Sequence, residues 1–172
     1  MAAFGGTLAA LALAVVAIVL ATTAIDLAVS SVLAAVESQP VNLPPLGELT
    51  EAVGAGLLVL GMWTAAGIVV GVLTKGPALA VGLGLVWALV VENLLRGVSG
   101  LIDGLDVVTN HLPGTAAGSL VGALGASGQA NADGTPGVLT ILDGGTAAGV
   151  LLAYLAGFTF FGLVLMRRRD LT

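Results

Sequence analysis

WALVVENLLRGVSGLIDGLDVVTNHLP, residues Trp87–Pro113, decides how the rest of this chain is read. It opens inside an apolar run, meets the pair Glu92-Asn93, passes Arg96, turns amphipathic and closes on a Leu112-Pro113 step. Leu101, Leu105, Val108 and Leu112 fall on one helical face, with Asp103, Asp106 and Asn110 off it. That pattern predicts a helix lying at an interface or covering a bundle. The chain before Trp87 reads as membrane, and the chain after Pro113 reads as one more return to it.

Composition agrees. Of 172 residues, 58% are hydrophobic and 9% charged, with a mean hydropathy of +1.11. A soluble domain carries roughly 25% charged residues, so this chain cannot cover a soluble surface. The expected class is an all-α integral membrane bundle in a single domain, residues 1–172. There is no cysteine, which excludes disulfides and thiol chemistry. His111 is the sole histidine and leaves little material for a zinc site. Five basic residues, three of them at 167–169, make no phosphate-tracking stripe, so nucleic acid is not an expected partner.

Outward from the opening stretch, four apolar runs are candidate spans: about 4–25, 52–74, 78–95 and 146–166. Each approaches the ~20 residues that a crossing needs. The first run resumes after Asp26 and continues to Val36, so a helix there must tilt or project from the bilayer. Asp26 reads as an interface residue ending the span, with an intramembrane acid as the alternative. A signal peptide competes for residues 1–25, because Ala-Thr-Thr-Ala at 21–24 offers small residues for cleavage, but the basic n-region is missing. Glu37–Glu51 reads as a solvated loop with three prolines and three acids. Gly67 and Gly71 have the small-xxx-small spacing that lets helices approach, here most simply within the chain.

Residues 97–143 contain no run long enough to cross. Pro113 can open a short helix, with Ala117, Leu120, Val121 and Leu124 on its apolar side. Ser127–Gly137 reads as a polar loop tip. Gly-Thr-Ala-Ala-Gly recurs at 114–118 and 145–149 without matching flanks and reads as low complexity. Four spans place Lys75 and Arg167–Arg169 on one side. Glu37, Glu48, Glu51, Asp103, Asp106, Asp133 and Asp143 fall on the other. Basic residues collect inside, so both termini are expected in the cytoplasm and 97–143 outside a cell membrane.

Chemistry-bearing patterns are few. There is no G-x-x-x-x-G-K-[ST] loop, so the chain is not expected to bind ATP. No catalytic set, metal site or cofactor site stands out, and no enzymatic activity is expected. Asp103 and Asp106 read as a solvated face before they read as an ion site. His111, beside the Leu-Pro step, reads as a helix-end histidine. Glu92 is the polar residue with most to explain. Arg96 stands four positions on, the spacing of a helical ion pair, and an outer ion pair or gate lining a transport route are both open readings.

In its order the chain resembles the C-terminal portion of the permease subunits of type-2 ABC exporters. The resemblance rests on Trp87-x-x-x-x-Glu92-Asn93-Leu94-Leu95 closing a span, and on an outward segment with Leu112-Pro113 and the small residues Ala116 and Ala117. A final span then ends in Arg167-Arg168-Arg169-Asp170. It implies a short re-entrant or interfacial helix pair before the last span. It also implies a second permease chain as homo- or heterodimer partner, a separate ABC ATPase, and export of a hydrophobic or amphipathic solute. Such permeases usually have six spans and a cytoplasmic docking segment between the second and third. Here the first span looks like the family's third, so the resemblance implies a form lacking the N-terminal two spans. A small accessory membrane protein without transport of its own is the competing expectation.

Overall fold

The computed structural model describes residues 2–41 and 43–169, with side chains at 6, 8–41 and 43–166. Seven α-helices account for most of it, and no strand occurs among the described residues. They are α1 (Ala2–Val36), α2 (Leu46–Thr74), α3 (Pro77–Leu85), α4 (Glu92–Ser99), α5 (Leu105–Asn110), α6 (Pro113–Ala123) and α7 (Gly144–Arg169). A π-helical turn, Val86–Val91, joins α3 to α4. Four helical stretches are long and apolar enough to cross a membrane: Leu8–Val36, Leu46–Thr74, Pro77–Ser99 and Gly144–Met166. The chain is thus all-helical in its described residues, with four helices able to span a membrane and a short helix pair before the last. The expected closing motif is only partly covered: α7 reaches Arg169, and Asp170 lies outside the described residues.

The helices divide into two compact units, with the boundary inside α2 between Gly61 and Met62. In the first, α1 runs past Asp26, as the apolar run that resumes to Val36 implies. No proline or helix-breaking glycine follows Asp26, so the helix runs on for ten more residues to Val36. It ends in a Schellman turn: Gln39 N–H donates to Ala34 O (2.8 Å) and Ser38 N–H to Ala35 O (3.3 Å), with Ser38 at φ 55°. The loop is also shorter than expected. Glu48 and Glu51 belong to the first turns of α2, because Pro45 leads into a helix whose positive end favours acids. Val19 is buried against Gly56, where a Cβ would lie 3.3 Å from the valine methyl.

In the second unit, Gly71 faces Ala80, at 3.9 Å from a Cβ placed there, while Gly67 meets open space. Of the small-xxx-small pair, only Gly71 therefore serves packing between α2 and α3. Pro77 opens α3. The single amphipathic face expected over 101–112 is not formed. A turn at Leu101–Gly104, with Gly104 at φ 80°, breaks the helix and resets its phase. Leu101 and Val108 are exposed in consequence, and only Leu112 of the four is buried. Helix α6 is the most enclosed element, with Pro113 and Thr115–Leu120 all buried. Of its expected apolar side, Ala117 and Leu120 are buried, but Val121 and Leu124 face outward.

Candidate functional site

The residues that join the third span to α6 form one polar cluster. The π-turn is its origin. Between Trp87 and Glu92 the backbone bond runs five residues back, from Glu92 N–H to Trp87 O. In an α-helix two residues five apart point about 140° away from each other. The wider turn brings them together, and Trp87 Nε1–H donates to Glu92 Oε1 at 2.8 Å. Such turns are rare and concentrate at functional positions. A wide turn also loosens the carbonyls inside it. Asn93 answers this by donating its Nδ2–H groups to Leu89 O (2.9 Å) and Ala88 O (3.4 Å).

Glu92 is only 1% exposed. Its second oxygen, Oε2, accepts the backbone N–H of Gly114 at 2.9 Å, across 22 residues of sequence. Gly114 is the second residue of α6, whose N-cap, Leu112, has no side chain able to cap. Helix starts leave N–H groups without partners and carry a partial positive charge. Glu92 thus caps α6 from another helix, and proline at the first helical position removes one N–H that would otherwise need a partner. Gly114 has to be small here: a Cβ would overlap Glu92 Oε2 and approach its Cδ to 3.0 Å.

Arg96 does not take the carboxylate. Its Nη2 donates to Asn93 Oδ1 at 2.7 Å, and Nη1 is buried without a partner. No hydrogen bond joins the two residues that the i,i+4 spacing paired. Glu92 takes Trp87 Nε1–H from its own span and Gly114 N–H from α6, and Arg96 braces the residue that stabilises the π-turn. Thr115, fully buried beside Gly114, also has a hydroxyl with no partner.

Further along α6, irregular chain packs onto it. Leu139 N–H donates to Gly118 O (3.1 Å), and Leu142 N–H donates to the buried Ser119 Oγ (3.2 Å). A Cβ on Gly118 would overlap Gly137 O, and one on Gly122 would overlap Leu139 O. Gly114, Gly118 and Gly122 lie at i, i+4 and i+8, so they form one bare stripe. Gly-Thr-Ala-Ala-Gly at 114–118, low complexity by its sequence alone, is the start of that stripe. Its copy at 145–149 opens α7, where Gly149 meets open space. Asp143 caps α7: Thr146 N–H donates to Oδ1 (2.9 Å) and Thr146 Oγ1–H to Oδ2 (2.6 Å). The Thr146 bonds hold its carboxyl below the usual carboxylate range.

Other singled-out residues stay apart from this cluster. His111 closes α5, its Nδ1–H directed at Val107 O (2.8 Å), the helix-end role that its position suggested. Asp103 and Asp106 are exposed on either side of the Gly104 turn. Comparison with protein-family models, with curated proteins and with solved structures finds no match to this chain.

Proposed function

We propose that this chain is a membrane-spanning permease subunit of an ABC exporter, working with a separate ATPase and a second permease chain. One observation carries the reading. The residues on which the resemblance rests, Trp87, Glu92, Leu112-Pro113 and Ala116, converge on the junction between the third span and α6. Trp87 and Glu92 are hydrogen-bonded, Glu92 caps the helix that Pro113 opens, and Leu112 and Ala116 are buried there. A helix pair tied in this way to one span and packed onto the next can move as a rigid cap on a route between two permease copies. Glu92 is the latch of that outer cap, and Arg96 supports it through Asn93. In this reading the membrane is the cell membrane, and the Lys75 turn and both termini face the cytoplasm.

The test is purification of the tagged chain from its native membranes in mild detergent. The expected result is recovery of an ATPase with a Walker phosphate loop, and loss of ATP-dependent export from cells lacking the chain. Recovery of no ATPase, with export intact, would leave an accessory membrane protein as the better description.

A further inference from the structure

Asp26 is the only charged side chain between Leu8 and Val36, and no Lys, Arg or His precedes Lys75. The unit that ends at Gly61 therefore holds Asp26, Glu37, Glu48 and Glu51 and no basic side chain to neutralise them. An acid in a spanning helix pairs, faces a cavity or reaches an interface. Asp26 sits four residues, roughly 6 Å, from the midpoint of the apolar run at Thr22. Its exposed side chain lines a half-open groove of about 290 Å³ between α1, the loop after it and the start of α2.

The two walls of this groove differ in chemistry. On one, Asp26 is flanked by Thr23, Ser30 and Ser31. The hydroxyl protons of Thr23 and Ser31 are already given to Val19 O (2.8 Å) and Leu27 O (2.7 Å). Both oxygens can then offer only lone pairs to the groove. Thr23 stands one turn from Asp26, so a carboxylate and one acceptor hydroxyl together select a donor of positive charge. The opposite wall is hydrocarbon: Val41, Leu43, Pro44 and Leu49. A bare metal ion would need about six oxygens at ~2.3–2.6 Å, more than this wall supplies. The volume is near the lower end of small-molecule pockets, roughly 300 Å³.

We propose that the Asp26 groove binds an amphipathic organic cation. A protonated amine places its N–H groups against Asp26 and Thr23, and its hydrocarbon body against Val41, Leu43 and Pro44. The site lies wholly within the first unit and does not depend on coupling to an ATPase. It would give the chain a ligand class, small lipophilic amines, that an export role alone leaves open.

Equilibrium binding to the full chain in phosphatidylcholine nanodiscs tests this, with empty nanodiscs subtracted. The probes are 1-naphthylmethylammonium and its neutral counterpart 1-naphthylmethanol. The ammonium probe is expected to saturate one site and to lose about tenfold or more in affinity in Asp26→Asn, the loss of a charge-assisted hydrogen bond. Asp26→Glu should retain most of the affinity. The alcohol should bind at least about tenfold more weakly than the amine and be indifferent to Asp26→Asn. Ala52→Phe, which fills the groove and leaves Asp26 intact, should abolish binding of the amine. Equal binding of amine and alcohol, undiminished binding by Asp26→Asn, or undiminished binding by Ala52→Phe would each overturn the assignment. So would displacement of the probe by millimolar sodium, which would make the site one for an inorganic ion.

Discussion

At the scale of single residues, Glu92 decides the arrangement of the third span and α6. Its carboxylate accepts from Trp87 Nε1–H and from Gly114 N–H. A glutamine there is isosteric but presents one oxygen and one NH₂, so one donor must meet another. Glu92→Gln is expected to lower stability by about 1–3 kcal/mol, the cost of one buried donor left unpaired. Glu92→Ala, which strands both donors, should cost more, and thermal unfolding in detergent reads both. Gly114→Ala attacks the same contact from the other side, because its methyl displaces the carboxylate. In the Glu92→Ala background that clash is gone, so the second substitution should become nearly neutral. A coupling of about 0.5–3 kcal/mol is expected in the cycle, and strict additivity would break the capping argument. The Trp87–Glu92 spacing is plain in the sequence, but Gly114 is not, because nothing local points across 22 residues. Arg96 shows the converse: helical spacing nominates a partner, and a better pair of donors takes it. Asp143 adds a pH dependence. Its folded pKa lies below the unfolded one, so its contribution is present above the usual carboxylate range and lost as pH falls through the lowered value. Amide exchange at Thr146 should be protected at neutral pH, lose protection through that acid window, and be unprotected throughout in Asp143→Ala.

At the scale of elements, α6 is defined by what its glycines leave out. Replacing a helical glycine by alanine ordinarily stabilises by roughly 0.5–1 kcal/mol. Gly149→Ala in α7, with open space around it, should do so. Gly118→Ala and Gly122→Ala should do the opposite, because the carbonyls of Gly137 and Leu139 occupy the space and backbone cannot step aside. Opposite signs at 149 and 118, measured as shifts in unfolding temperature, check the stripe; the same sign at both would remove it. The spans themselves are legible from hydropathy, since each is a long run with few charges. Their ends are less so. Asp26 looks like a terminus only if charge ends a helix, and in α1 nothing else does. The π-turn is invisible to any fixed period, as Val86–Val91 is uniformly apolar. The face assigned to 101–112 failed for a related reason: one glycine at positive φ resets the phase, and a periodic pattern read through it loses its meaning. Pro113 was readable because proline at a first helical position acts locally.

At the scale of the whole molecule, the surface is inverted relative to a soluble protein. Only 6–17% of each apolar span window is buried within the chain. Side chains such as Leu13, Leu79, Leu83, Leu152 and Phe160 stand exposed, and lipid or a second membrane chain has to cover them. Glu92 is the acid that the bundle hides completely, while the described loop acids Glu37, Asp103, Asp106 and Asp133 are exposed. Charge then sets orientation, because basic residues resist translocation and acids contribute little. Lys75 comes after the second span, whereas the Ser127 loop comes after the third, so an odd number of crossings separates them. The absence of cysteine makes the native chain its own blank for labelling. Single cysteines at Thr74 and Ser127 should react with a membrane-impermeant maleimide from opposite sides, Ser127→Cys in intact cells and Thr74→Cys only after the membrane is opened. Labelling of both from one side would refute four crossings, because Pro77–Ser99 would then fail to span. Labelling from opposite sides in the reverse sense would keep the four spans and invert the orientation, placing the Glu92 latch at the cytoplasmic face, where an outer cap on an export route could not operate.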